Sequence, residues 1–321
     1  MNSEEKTKYM IEFDLYKERS YSDCVREANN LICANFATIF RHTWIGAVAA
    51  ALIGGLFVFL SPPMGPGEEP TSVFLVRTLL QIIVFVIYVF CVCWMNTGLF
   101  CLLTQSTRRQ MLLRCARQSY LLTVLSNIFA FLLAIIIIIA TTLLNSAVNS
   151  SDFYASYAQL INSLWYIIII CAAWLIVLIV LLPAAYSSMK YIIEGGRCLQ
   201  TIFKKPYAEG WKHWGYLALV ALIGLIIVAV VSVIVCVPVG VLTVSEQTNA
   251  AGVIMGDASD LPSYFEVLKY LVAVITGFVM LYAILWFEIL LYFAYGHIEK
   301  RVRDVAERKE KENGTNKGIV Y

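Results

Sequence analysis

The chain has 321 residues, of which 60% are hydrophobic and only 14% charged, and its mean hydropathy is +0.74. A water-soluble domain carries about a quarter charged residues, so the composition excludes an ordinary soluble fold and makes lipid the main solvent. The net charge of +2 is small, and no segment is large enough to carry the solvated basic surface that nucleic-acid binding needs.

Residues 1–42 form a polar segment of mixed charge. A cleavable signal needs a short basic start and an early apolar run, so none is expected here. Within this segment Ser20 to His42 predicts an amphipathic helix. Ser20-x-x-Asp23 is a capping pattern, and Val25, Ala28, Ile32, Phe36 and Ile39 fall at three- and four-residue steps on one face. Such a helix either lies on the inner leaflet with its basic residues at the headgroups or packs on the cytoplasmic face of a bundle.

A hydrocarbon core of roughly 30 Å needs about 20 apolar residues in helix. Runs of that kind lie at 43–61, 74–103, 118–145, 159–187, 213–240 and 268–296. The predicted fold is therefore an all-α transmembrane bundle of six spans over residues 43–296, followed by a charged tail, 297–321. Pro183 and Pro238 sit near the ends of the fourth and fifth spans, where each is expected to kink or, more simply, end its helix. In the tail, Glu299/Arg303, Asp304/Arg308 and Glu307/Lys311 are spaced for ion pairs on a solvated helical stem.

The loops set the orientation. Residues 104–117 carry Arg108, Arg109, Arg114 and Arg117 without an acid, and 188–212 and the tail are also rich in Lys and Arg. The alternate loops hold Glu68, Glu69, Asp152, Glu246, Asp257 and Asp260 with no Lys or Arg. Because cytoplasmic loops accumulate Lys and Arg, both ends are expected in the cytosol, in a bacterial inner membrane. None of the nine cysteines falls in an outer loop, so free thiols are expected.

Two stretches look alike. Phe40-Arg41-His42-Thr43-Trp44 leads into the first span, and Trp211-Lys212-His213-Trp214 leads into the fifth, where Gly196 to Lys205 presents Leu199, Ile202 and Phe203 on one face. Trp44 precedes Ile53-Gly54 by nine residues, and Trp214 precedes Ile223-Gly224 by nine. Arg77 and Lys269 occupy matching outer ends of the second and sixth spans. The pattern predicts a parallel duplication of a helical hairpin. Its alternative is the ordinary gathering of Trp and basic residues at a cytoplasmic interface.

Glu288, in Leu285-Trp286-Phe287-Glu288-Ile289-Leu290, is the candidate functional residue. A carboxylate inside a span is costly and faces the bundle interior. It is either a proton or cation site or a structural hydrogen-bond partner of Asn96 or Asn127. Arg41, Arg77, Lys204, Lys205, Lys212 and Lys269 are the candidate contacts for lipid headgroups, Arg77 and Lys269 by snorkelling; Lys269 is also spaced to pair with Glu266, one turn before it. The three histidines, His42, His213 and His297, lie at span ends in no metal-binding pattern. Neither a nucleophile elbow nor a phosphate cradle is present, so no cofactor, metal or catalytic residue is assigned.

The polar pre-span helix, the turn Ile39-Phe40-Arg41-His42-Thr43-Trp44 and the small-residue-rich span that follows, repeated, resemble a group of bacterial six-span membrane proteins. These include the membrane domain attached to some glycerophosphodiester phosphodiesterases and the YciC-like inner-membrane proteins. The N-terminal style is also similar to membrane proteins of the Bacteroidota, some of which carry a carotene-oxygenase label. That activity is excluded here, because such enzymes resemble a propeller with four iron-binding His. The resemblance covers most of the chain, implies a six-span inner-membrane fold and supplies no catalytic residues. The expected function is non-enzymatic: organising lipid or a membrane partner complex, with a second copy among the partners considered. The alternative is transport of a small solute or lipid through Glu288.

Overall fold

The computed structural model describes residues 14–60, 71–104, 106–119, 179, 181–195, 205–256 and 261–317, and every regular element among them is helical. The helices are α1 (Tyr21–Leu60) and α2 (Thr71–Thr104), α3 (108–119) and α4 (181–194), α5 (Lys205–Lys212), α6 (Trp214–Ile254) and α7 (Phe265–Lys317). Two units divide the chain, one of Met1–Ala116 with Leu219–Tyr321 and one of Arg117–Ala218.

The expected cap opens α1. Ser20 Oγ accepts from the Asp23 backbone N–H at 3.3 Å, while the Ser20 N–H donates to Asp23 Oδ2 at 3.3 Å. Two donors at the helix start are thereby satisfied. From there α1 runs into the first apolar segment through a kink at Asn35, whose φ of −120° and ψ of 20° are not helical. Asn35 Nδ2 donates to the Leu31 carbonyl at 3.1 Å. A side chain that competes in this way for a helix carbonyl is a common cause of a bend.

The inward row is displaced by about one residue from the expected one. Cys24, Ala28, Leu31, Ile39, Ala47 and Ala50 are buried. Phe36, expected on that face, is 53% exposed and instead stacks on Phe40, which stacks on Tyr282. The buried row runs through Cys24, Ala28, Leu31, the half-buried Asn35 and Ile39 at three- and four-residue steps, so Phe36 lies on its flank.

Four helices among the described residues are long and apolar enough to cross a membrane: Tyr21–Phe57, Val76–Thr104, Trp214–Val253 and Phe265–Lys311. Their outward rows are apolar, as with Val76, Leu79, Ile82 and Val86 on α2 and Val230, Val233, Ile234 and Val237 on α6. Surfaces of this kind are tolerated where the solvent is hydrocarbon, and they are those of a helical membrane protein. All but the first two residues of the expected third span, and most of the fourth, lie outside the described residues.

Neither proline ends its helix. Pro183 lies in α4, which continues to residue 194, and Pro238 lies inside α6, which continues to Ile254. A proline removes one backbone donor, while unwinding a helix in apolar surroundings would strand several more. A glycine ends α4: Gly195 has φ 60° and its N–H reaches the Tyr191 carbonyl at 3.3 Å, the left-handed position that a side chain disfavours.

The tail is a continuation of α7. With 53 residues, α7 is about 80 Å long at 1.5 Å per residue, far beyond a bilayer core. The start of the tail is not a solvated stem, because His297, Ile298 and Glu299 are buried.

Candidate functional site

The first unit is organised around α1, which packs against both α2 and α7. Small residues set the α1–α2 approach. A Cβ on Gly46 would sit 2.8 Å from the Met95 backbone nitrogen, and one on Gly98 would collide with the His42 carbonyl oxygen. Backbones this close are the usual solution where helix association depends on van der Waals contact. On the other side, Thr43 Oγ1 and Tyr282 Oη are 3.2 Å apart. Tyr270 Oη donates to the Leu52 carbonyl at 3.1 Å, and Trp286 Nε1 donates to Asn29 Oδ1 at 2.6 Å.

These contacts place Asn96 on α2 opposite Glu288 on α7. Asn96 Nδ2 donates to Glu288 Oε1 at 2.8 Å. Glu288 as a residue is partly exposed, but its Oε2 is enclosed without a hydrogen-bond partner, as is Asn96 Oδ1. One amide donor thus serves a carboxylate whose second oxygen is closed off. In a low dielectric that bond is strong, and losing it is costly. The arrangement ties two helices together. Asn127, the other expected partner, lies outside the described residues.

No family model, curated protein or solved structure matches this chain.

The basic residues separate by environment. Arg41, Lys205 and Lys212 are exposed and Arg77 is partly exposed, while Lys204 lies outside the described residues. Lys269 is only 6% exposed. Its Nζ lies 2.9 Å from Glu246 on α6 and 3.1 Å from Glu266 on its own helix. The Glu266 pairing was legible from spacing, but the one to Glu246 crosses between helices. In the second unit, Lys190 is buried between Glu209 at 3.4 Å and Glu194 at 3.8 Å.

The segment before α1 forms a cluster that sequence reasoning missed. Arg19 is 5% exposed. Its guanidinium donates to the carbonyls of Leu15, Lys17 and Asp14 and to the Glu27 carboxylate, and it lies over the Phe293 ring at 5.0 Å. Its backbone N–H donates to His297 Nδ1 at 2.9 Å. Residues 14–20 are thereby strapped onto α7, and Arg303 over the Tyr16 ring at 4.0 Å extends the strap. Gly296 admits it, since a Cβ there would collide with the Leu15 carbonyl oxygen. The available signal was Leu15, an apolar residue in a polar stretch, together with a glycine in the aromatic run Phe293-Ala294-Tyr295-Gly296.

At the loop after α2, Cys115 on α3 is buried, and burial pushes its thiol up to about 12. Its backbone carbonyl lies 4.0 Å from Cys93 Sγ.

Proposed function

We propose that the chain is a non-enzymatic, six-span protein of the bacterial cytoplasmic membrane, both ends in the cytosol, that organises lipid or a membrane partner complex. Glu288 carries this reading. Its carboxylate is engaged with Asn96 across the α2–α7 contact at 2.8 Å, and its other oxygen is enclosed. That favours a structural clamp over a group that exchanges a cation with water. The apolar outward rows of α2 and α6 supply a broad surface for lipid or for a second membrane protein. The Lys- and Arg-rich loops favour the orientation. A duplicated hairpin is favoured by Gly54 and Gly224, where an added Cβ would lie 3.4 Å from the Tyr88 ring and 2.8 Å from the Phe287 ring, each on the helix that follows.

The test is purification of the full chain in a mild detergent, with native mass measurement of retained lipids and partners. It is run beside a proton- and solute-flux assay of wild type and Glu288→Gln in proteoliposomes. Retained lipid or a retained partner, with no flux that depends on Glu288, is expected. A flux lost in a stably folded Glu288→Gln protein would establish transport instead.

A further inference from the structure

A recess of about 420 Å³ lies within the first unit, among α1, α2, α6 and α7. Ala50, Gly54, Phe85, Tyr88, Ala273 and Gly277 are among the residues lining it. Its volume falls within the range of about 300–1,000 Å³ common for small-molecule sites. Small residues create it. Gly277 comes close to α1, a Cβ there lying 3.9 Å from the Ala51 Cα, and the missing side chains of Gly54 and Gly277 leave space beside that contact. The polar groups on its wall are few. Thr276 Oγ1 already donates to the Val235 carbonyl at 3.3 Å.

Water gains little in such a space, because it finds too few hydrogen-bond partners, and apolar cavities take apolar occupants. Left empty, the lining would forfeit dispersion contacts. The surroundings identify the occupant. Phe85, on the wall, is itself exposed, and Ile82, Val86, Val237, Val241 and Ile275 nearby on the same helices present exposed apolar side chains. All belong to helices long and apolar enough to cross a membrane, so the recess borders hydrocarbon. We propose that it binds one acyl chain of a bilayer phospholipid. This deepens, and rests on, the reading of the chain as a protein that organises lipid.

The experiment uses the full chain in nanodiscs of phosphatidylethanolamine and phosphatidylglycerol doped with a phospholipid carrying a diazirine at mid-chain. Irradiation is carried out either directly in the nanodiscs or after dilution into detergent, and each sample is then peptide-mapped. Adducts on Tyr88, Ala273 and Thr276 are expected to survive dilution. Adducts on Val233 and Ile234, which face the surrounding lipid, are expected to disappear. Ala273→Phe, which fills the recess, should remove the surviving adducts, and Val239→Phe repeats the test from α6 should the first variant not fold. Recess adducts that vanish together with those on Val233 and Ile234, or that persist in a folded filled variant, overturn the proposal. Lipid retained in the native mass measurement without recess adducts overturns the recess and leaves the lipid-organising reading standing. No retained lipid at all removes that reading, and the recess with it.

Discussion

Asn96 and Glu288 are 192 positions apart in the chain and joined by a 2.8 Å hydrogen bond. Their helices both pack on α1, so the bond closes a three-helix contact rather than decorating a surface. Removing the donor alone leaves both carboxylate oxygens without a partner, at a cost of about 1–3 kcal/mol. Replacing both residues by apolar ones removes the need for a partner. Asn96→Leu should therefore destabilise more than the double variant Asn96→Leu/Glu288→Leu, as measured by thermal unfolding in detergent. Glu288→Gln, which keeps the accepting oxygen, should melt close to wild type. Simple additivity of the two leucine variants would show that the bond carries little.

The α1–α2 crossing depends on a missing side chain at Gly98. A Cβ there meets the His42 carbonyl oxygen, and a backbone atom cannot swing aside. Gly98→Ala should cost about 1–3 kcal/mol, the usual penalty of overpacking. Gly240→Ala has nothing within 4 Å to meet and should be neutral or stabilise by about 0.5–1 kcal/mol, since glycine inside a helix is unfavourable. Equal losses in the two variants would refute the close crossing.

Arg19 holds residues 14–20 through three carbonyls and the Glu27 carboxylate. Arg19→Ala leaves these acceptors short of donors and should cost about 2 kcal/mol. Hydrogen exchange should accelerate across residues 14–20 and around His297, with little change in α2. Arg19→Lys should not restore protection, because an ammonium lacks the planar fork that serves several acceptors at once. Unchanged exchange at His297 in Arg19→Ala would mean that the strap is held by something else.

Cys115 should be a slow thiol. With burial pushing its pKa to about 12, only about one molecule in ten thousand carries the reactive thiolate at pH 8. The exposed Cys33 should react first with a permeant maleimide, and Cys115 should follow only on denaturation. With the proposed orientation, an impermeant reagent on intact cells should label neither. Labelling of Cys115 at the rate of Cys33 would show that Cys115 is not packed against α2 at Cys93.

Much of this structure could be read along the chain. Helix, membrane solvent and the cap at Ser20 follow from local composition and spacing, because each depends on residues within a turn or a span of one another. The candidate residue Glu288 was legible for the same reason: a charge inside an apolar run stands out without any knowledge of its neighbours. The exposure of Phe36 was not legible, since the inward row passes through Leu31, Asn35 and Ile39, and which of two adjacent rows turns inward depends on the helices that α1 meets. The passage of α6 through Pro238 depends on the cost of stranding backbone groups in lipid, which a helix-stop signal does not include.

By itself, then, the sequence determined that the chain builds long apolar helices and that one carboxylate lies within them. Only the tertiary structure decided that this carboxylate meets Asn96, that Lys269 is held by Glu246 as well as Glu266, and that Leu15 lies on Gly296. The physical reason is that hydropathy and helix propensity are sums over neighbours in the chain. Partner choice depends instead on which faces meet, and close approach there is set by glycines that let two backbones touch.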